Sequence, residues 1–593
     1  MRPRPHDPKT EANSIPNEPF QSAPSTAANT SENLDKLNPP NVFAGIGELV
    51  EAFRTDPSLA PVLANLRAQL EAALSEHGSK QEGKITEQLV ASASVHDRGS
   101  ALSQELGERP TRGAITCLGS LPLPLRQGDF KAYVFESTQS HDHLIAVTKG
   151  DISSDEPLLV RVHSECITSE TLCGCDCDCV EQLEGALSQI EEEGRGILFY
   201  LRQEGRGAGY SNKARDRMLV CASENELGTF DAYRGLGLPE DRRNYESLRD
   251  VAYLLDINAP LIVMTNNPDK LNGLRQLGFT VESRSKLTIP PNPHNAYYLK
   301  TKGENGHMLD KSDTMDQEEQ GIQSAYPWEV KAFVPHSLDV ATRYTHNASY
   351  PLPIRPLPGV LVLDPKQVGE LYSIQSNLGV SLIQNMETLS YGKFHIQLDA
   401  NLTNAKLEEN AHGPLAKIIG ANPHWFNTHV YRDSIAGLDY VTLEYNVAPL
   451  AAPIVRVHSE NLLDRFPSSD TTDTSKYQRS IDTIVKNGRG LLLLYPEDGR
   501  GKGLSGTFLE RMLVAKGAAR NSSEASAILG TEDDRRDYAA IAKLVRHHYP
   551  HDNITLLFSS TDSIPKKQNL LACLLQEGVK NLNLSYLNKS RKG

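Results

Sequence analysis

Basic charge, long apolar runs and cysteine are all scarce in this chain, and each shortage excludes a class of function. Lys and Arg number 61 against 75 Asp and Glu, for a formal net charge of −14 over 593 residues and a pI near 5.7. A field of that sign does not draw a protein onto a phosphate backbone or an anionic membrane, although a local basic pocket can still hold a small anion. No nucleic-acid partner is therefore expected. No stretch approaches the roughly 18 consecutive apolar residues of a membrane span, and the opening MRPRPHDPKTEANS has no apolar centre of the kind a secretory signal carries. The expectation is a cytoplasmic protein without a membrane partner. Eight cysteines are too few to staple a secreted scaffold of this length. They are also unevenly placed, because Cys166, Cys173, Cys175, Cys177 and Cys179 fall within fourteen residues.

At about 150 residues per domain the length suggests roughly four units. Residues 1–42, rich in Pro, Ser, Thr and Asn, read as a disordered tail. Apolar residues recurring at three and four from Leu49 to Leu74 predict a helical segment within the bounds 43–118. Over 119–301 short apolar runs such as LIAVT, LLVRV, GILFYL and PLIVMT alternate with helical stretches, which predicts an α/β domain with a mixed sheet. The polar stretch 302–324 reads as a linker, and a second structured region fills 325–593.

An internal repeat organises the rest. RVHSE at 161–165 returns at 456–460, GRG at 194–196 returns at 488–490, and EGRGAG from Glu204 returns as DGRGKG from Asp498. DRMLV from Asp216 becomes ERMLV from Glu510, and EDRRNY from Glu240 becomes DDRRDY from Asp533. The order is kept and the offset drifts only from 295 to 293, so the chain carries two tandem copies of one domain.

Cys166, Cys177 and Cys179 form a C-x10-C-x-C pattern. Three thiolates leave a fourth tetrahedral position on zinc for water, as a hydrolytic site needs. Cys173 and Cys175 offer other ligands, so a four-cysteine structural zinc is an equal reading of the spacing. GRGILFYLRQEGRGAG predicts a strand that ends in a glycine-rich turn carrying Arg202, Glu204 and Arg206, a combination that can meet phosphate oxygens and the N–H edge of a purine. TNNPDK follows an apolar strand, so Thr265 and Lys270 fall near a helix start, where capping alone also accounts for them. Asp241 and Arg243 in PEDRRNY read as another helix start or a surface charge run, and His141 with His143 as an ordinary strand pair.

Together, LPLPLRQGDF, HDHLIAVTKGD, RVHSEC, CDCVEQL, GRGILFYLRQEGRG, NK and TNNPDK resemble the GTP cyclohydrolase II family over about 180 residues. The resemblance implies a zinc enzyme that opens the imidazole ring of GTP at C8. Formate and pyrophosphate leave, and the product is 2,5-diamino-6-(5-phosphoribosylamino)pyrimidin-4(3H)-one, the first step of riboflavin biosynthesis. It implies Cys166, Cys177 and Cys179 as zinc ligands and Mg2+ for the phosphate chemistry. Arg161, Val162, His163, Ser164, Glu165, Gln182, Glu204, Gly205, Arg206, Thr229, Thr265 and Lys270 match GTP-binding positions. Asp241 matches the proton acceptor and Arg243 the nucleophile. The family's usual dimer implies a homodimer or an intramolecular pseudo-dimer of the two copies.

Two departures accompany the likeness. Arg217 stands where the family usually has tyrosine, and a guanidinium brings fixed charge where a neutral hydroxyl would be. That substitution favours, as an alternative, a paralogue with an altered product or a place in pyrimidine (uracil) catabolism. In the second copy Asn461 replaces Cys166, LLDRFPSSDTTDTS has no cysteine, and Phe558 and Ser563 replace Thr265 and Lys270. This copy is expected to be degenerate and without catalysis, and a chain with two such copies would be a nucleotide-binding scaffold.

Overall fold

The protein is described from a computed structural model. It describes residues 109–587 apart from 141, 224–225, 288, 290, 293, 310–342, 356–359, 380, 389–393, 399–417, 419–421, 470, 552 and 560–563. The tail, most of the expected helical segment, most of the expected linker, His141 and Ser563 thus lie outside the described residues. No helix among the described residues is long and apolar enough to cross a membrane.

The first copy is a mixed sheet of eight strands. These are β1 Thr111–Arg112, β2 Ile115–Leu125, β3 Gly128–Ser137, β4 His143–Lys149, β5 Leu158–Ser164, β6 Gly196–Leu201, β7 Leu261–Met264 and β8 Val281–Ser285. Their spatial order is β1-β2-β3-β4-β6-β5-β7-β8. The run from β1 through β4 to β6 is antiparallel, whereas β6, β5, β7 and β8 are parallel. Parallel neighbours need crossovers. Helices α1 Cys179–Glu193, α2 Tyr210–Ala222, α3 Thr229–Gly235, α4 Ser247–Leu254 and α5 Pro268–Gln276 lie in those connections, and α6 Ala296–Glu304 follows β8.

Pattern explains placement. β6, GILFYL, lies between the two halves and is buried at every position, as an unbroken apolar run requires. In β2 the buried Leu121, Leu123 and Leu125 alternate with Pro122 and Pro124. The prolines are tolerated because β1 pairs only with the start of β2, which leaves the rest of β2 at the sheet edge. On α1, Leu183, Ala186, Leu187 and Ile190 share one face and pack on the side of the sheet that presents Val134, Ile145, Val147 and Leu198. Each buried leucine or isoleucine there contributes about 1.5–3 kcal/mol relative to exposure. The sheet begins at Thr111, inside the segment expected to be helical, and Met308 N donates to Asn266 O at 2.8 Å, inside the expected linker.

The second copy repeats the design. Its strands in chain order begin with β9 Tyr344–Ile354, then β10 Val360–Leu363, helix α7 Pro365–Leu378, β11 Ile383–Thr388 and β12 Phe394–Leu398. There follow β13 His424–Asp433, β14 Asp439–Asn446, β15 Ile454–Ser459, helix α8 Thr471–Asn487 and β16 Arg489–Tyr495. The chain ends with α9 Gly503–Ala515, α10 Ser522–Ile528, α11 Tyr538–His548, β17 Ile554–Phe558, α12 Ile564–Gln576 and β18 Leu582–Tyr586. Seven strands form one sheet in the order β18-β17-β15-β16-β14-β13-β9, the same path that β8 to β2 takes in the first copy. An insertion absent from the first copy lies between β9 and β13. Its sheet, ordered β10-β12-β11, has its own core of Leu361, Leu363, Leu371, Ile396 and Leu398.

The copies pack by reciprocal exchange. Helix α2 of the first lies on β9 of the second, with Tyr210 and Tyr350 hydroxyls 2.8 Å apart and Ser211 Oγ donating to Asp439 at 2.6 Å. Helix α9 of the second lies on β2 of the first and adds Phe508 and Met512 to the α1 core. At the junction Arg465 is buried and holds Glu165 (2.8 Å), Glu460 (3.1 Å) and the Tyr200 hydroxyl (2.9 Å).

Candidate active site

The site lies at the C-terminal ends of β5, β6 and β7. Cys166 follows β5, Cys177 sits in the loop before α1, and Cys179 is the first residue of α1. Their sulfurs lie within 4.8 Å of one another, with Cys166 and Cys177 at 3.6 Å. That convergence suits a soft, tetrahedral metal with three thiolate ligands. Cys173 and Cys175 turn away toward the second copy, where Cys175 Sγ donates to Pro353 O at 3.3 Å. Burial pushes the Cys173 thiol up to about 11 and the Cys175 thiol higher still. The four-cysteine set that spacing allowed is not assembled.

Lys213 on α2 supplies charge beside the cluster. Its Nζ lies 3.0 Å from Cys166 Sγ and 2.8 Å from Glu204 Oε1. Burial alone would lower this ammonium, but Cys166 and Glu204 outweigh it and hold Lys213 well above its ordinary value. Hydrogen bonds from Cys166 and Cys179, aided by the charges of Lys213 and Arg217 and opposed by burial, push the Cys177 thiol down. Glu204 also accepts from Ile167 N at 2.5 Å and Gly205 N at 2.7 Å, so it clamps the loop that carries the first thiol.

Around the thiols the remaining sequence-derived residues take distinct places. Arg161 donates to Met264 O at 2.8 Å and to Gln182 Oε1 at 2.6 Å, while its Nε is buried without a partner. Ser164 Oγ and Arg206 Nη1 are also buried and unpartnered. Arg206 lies over Phe230 at 3.8 Å. Thr229 Oγ1 donates to Asp216 at 2.8 Å, and Lys270 Nζ donates to Val162 O at 2.8 Å. Thr265 closes the strand end, its Oγ1 accepting from Asn267 N at 3.0 Å. Asn267 caps α5 by accepting from Asp269 N at 2.8 Å. Arg161, Ser164, Glu165, Cys166, Cys179, Gln182, Glu204, Gly205, Arg206, Thr229, Arg243, Thr265 and Lys270 line one cavity of about 140 Å³.

Further contacts support that wall, which His163 also lines. The Val162 side chain belongs to the core and offers only its carbonyl. His163 pairs with Glu170 at 2.8 Å, and burial pushes its pKa down. Burial pushes the Glu165 carboxyl up, against Arg465 and Arg202. Asp241 stands behind Arg243, which donates to it from Nε at 2.9 Å and from Nη2. Burial would raise Asp241, yet Arg243 more than offsets it and holds the carboxyl below its usual range.

A close approach brings that pair to the site. Arg242 N donates to Arg206 O at 2.9 Å, and Gly207 lies so near Arg242 that a Cβ would fall 2.9 Å from its carbonyl oxygen. Gly207 has φ +80°, so two requirements select glycine here.

Sequence motifs missed several lining residues. Lys302 pairs with Asp178 at 2.9 Å, Tyr298 lies under both Lys302 and Arg217, and His307 is driven by burial to about 3 and so stays neutral. Arg217 is buried, with Nε 3.4 Å from Asp176 in the thiol loop and its guanidinium 5.0 Å from the Tyr298 ring centre. The departure from the family pattern therefore lies in the cavity itself.

In the second copy the scaffold persists and the thiols do not. Asp498 accepts from Leu462 N at 2.6 Å as Glu204 does from Ile167, and Arg536 pairs with Asp534 as Arg243 does with Asp241. Asn461, in the place of Cys166, instead donates to Asp464 at 2.6 Å. Phe558 puts a ring where Thr265 has a hydroxyl.

The GTP cyclohydrolase II family model matches residues 117–286 and again 420–569, together more than half of the chain. GTP cyclohydrolase-2 of Saccharophagus degradans is 43% identical over 196 residues, 33% of this chain and 96% of that protein. GTP cyclohydrolase-2 of Escherichia coli O9:H4 (strain HS) and of Shigella boydii serotype 18 are each 44% identical over 191 residues, 32% of this chain and 95% of theirs. About a third of this chain spans each relative almost entirely. Because the family match falls on both large sheets, the chain belongs to the GTP cyclohydrolase II family and carries its domain twice.

Proposed function

We propose that the first copy is a zinc-dependent GTP cyclohydrolase II, a hydrolase that opens the guanine imidazole ring of GTP and releases formate and pyrophosphate. The observation that carries this reading is the joint occurrence of three converging thiols, two of them on the cavity wall, and three buried unpartnered polar atoms of residues lining the same cavity, Arg161 Nε, Ser164 Oγ and Arg206 Nη1. Buried donors without partners are rare in folded proteins and call for a ligand. Cys166, Cys177 and Cys179 would hold zinc, which would supply a Lewis acid and lower the pKa of a water to about 7.

The chain's own groups divide the remaining work. Lys213 offsets the thiolate charge and Glu204 fixes the loop. Arg161, Arg206, Arg243 and Lys270 neutralise the triphosphate, with Mg2+ as the accompanying cation. Burial pushes Lys270 well below its ordinary value, and incoming phosphate charge favours its protonated form. Asp241 receives a proton at the rim and keeps Arg243 oriented. In the resting pair Arg243 is a cation, so it holds the α-phosphate electrostatically before any nucleophilic role.

The second copy acts as a built-in partner without catalysis. The enzyme belongs in the cytoplasm, at the head of riboflavin synthesis. Formate and pyrophosphate release from GTP by the purified chain, absent in Cys177→Ser, tests the reaction. Equal turnover in both proteins overturns it.

Arg217 favours a second reading, a cyclohydrolase of altered product such as one in pyrimidine catabolism, because a fixed cation pairs with the thiol loop where the family presents a hydroxyl. Mass spectrometry of the GTP product separates the two readings. A formylated or ring-closed product supports the second, and the diaminopyrimidine supports the first.

A further inference from the structure

The second copy, which lacks the cysteine set, gathers another group of donors on a different part of its sheet. His429 on β13, Glu444 on β14 and His548 at the end of α11 bring one ligand atom each to within 4.8 Å of the others. His429 Nε2 lies 3.4 Å from Glu444 Oε2, and His548 Nδ1 lies 3.8 Å from the same oxygen. A tetrahedral zinc with bonds of about 2.0–2.1 Å sets its ligand atoms roughly 3.3–3.4 Å apart. The three side chains are 8%, 22% and 5% exposed, so only the carboxylate side is open to water as a fourth ligand.

The outer contacts fix which ring nitrogens face the carboxylate. His346 Nε2 and His429 Nδ1 both bond Ser349 Oγ, at 2.6 and 2.7 Å. His429 Nδ1 is thus engaged with Ser349, and its buried Nε2 is the ring atom that faces Glu444. His548 Nε2 lies 2.9 Å from the Tyr431 hydroxyl and 3.1 Å from Thr442 Oγ1, so Nδ1 is the ring atom that faces the same carboxylate. Two ring nitrogens and a carboxylate thus converge, each histidine engaged through its other nitrogen with an outer hydroxyl. Metal-ligating histidines are held in this way, the second ring nitrogen tied to an outer partner.

The first copy has nothing comparable at the equivalent positions. His429 pairs with Thr442, and Asn427 with Glu444, in the register in which Tyr133 pairs with Ala146, and Lys131 with Thr148. Tyr133 and Thr148 therefore stand for His429 and Glu444, and the repeat offset of 293 puts Leu255 in the place of His548.

We propose that His429, Glu444 and His548 form a second metal site, for a first-row transition dication of the zinc class, that ties α11 to β13 and β14. Neutral imidazoles with one carboxylate suit such an ion better than calcium or magnesium, which prefer oxygen alone. The site is independent of the proposed catalytic zinc.

Elemental analysis of the full chain, loaded with excess zinc and dialysed, tests it. The expected content is two equivalents per chain, falling to one in His429→Gln/Glu444→Gln and to one in Cys177→Ser/Cys179→Ser. Cobalt loading gives a readout that does not depend on activity. The cysteine variant should keep visible d–d bands without the thiolate charge-transfer band, and the histidine variant should keep that band. An unmutated chain that takes up one equivalent or none, or a folded His429→Gln/Glu444→Gln chain that still holds two, overturns the proposal.

Discussion

The two copies share a sheet order, a glycine-rich turn and an Asp–Arg pair, yet the second lacks the three thiols that distinguish the first. In the first, three sulfurs meet at the end of β5 beside Lys213. In the second the same corner holds Asn461 bonded to Asp464. The scaffold bonds survive this exchange, since Asp498 clamps its loop as Glu204 does and Arg535 N donates to Arg500 O at 2.8 Å as Arg242 N does to Arg206 O. The comparison teaches that this fold is maintained by its apolar register and loop clamps, while its reactive groups are separable additions.

The largest expected effect sharpens that contrast. Cys177→Ser should reduce formate release by more than the roughly 10–100-fold that loss of an outer partner of a metal ligand costs, whereas Asn461→Cys should leave the rate unchanged. Formate assays on both variants check this.

The next concerns what the copies share. Arg465→Ala strands Glu165 and Glu460 in the interior, and breaking a buried pair in this way costs about 3–5 kcal/mol. Urea unfolding should show that loss in one transition common to both copies. A loss confined to the second would break the picture of one cooperative unit.

A smaller effect tests likeness. Asp241 and Asp534 are both held below the usual carboxylate range, with burial opposing and their arginines prevailing. Their stabilising contribution is present above the unfolded value of about 3.9 and is lost as pH falls through the lower folded value. Neither carboxylate titrates between about pH 5 and 9, so any acid limb of the rate in that range must survive Asp534→Asn. A limb abolished by that change would contradict the sign.

Smallest is Arg217→Tyr. One hydrogen bond is worth about 0.5–1.5 kcal/mol net, so turnover of GTP should rise by no more than about tenfold. An unaltered rate would remove Arg217 as the cause of any lowered activity.

Much of the architecture is legible in sequence because it rests on short-range pattern. GILFYL reads as a buried strand, and RVHSE repeated at an offset of 295 reads as a second copy. The three cysteines stand out from Cys173 and Cys175 only through the family likeness, because spacing does not tell which sulfurs turn inward. Lys302 and His307 fall within the expected linker since KGENGH is polar, and a charge neutralised in the interior by Asp178 looks the same in sequence as one facing water. The insertion around α7 repeats nothing and so leaves no mark in the repeat. His429, Glu444 and His548 lie on three separate elements, and only the β13–β14 register and the packing of α11 bring them together.

Arg465 has one more consequence. The repeat puts Glu170 in its place in the first copy, where that carboxylate accepts from the Tyr200 hydroxyl at 2.5 Å. Glu170 is also held by His163 of its own copy at 2.8 Å, so the first copy satisfies this position internally while the second reaches across to Glu165. The junction is thus unsymmetrical: one guanidinium from the second copy serves a carboxylate from each copy. That asymmetry is written in a single reversal of charge between equivalent positions.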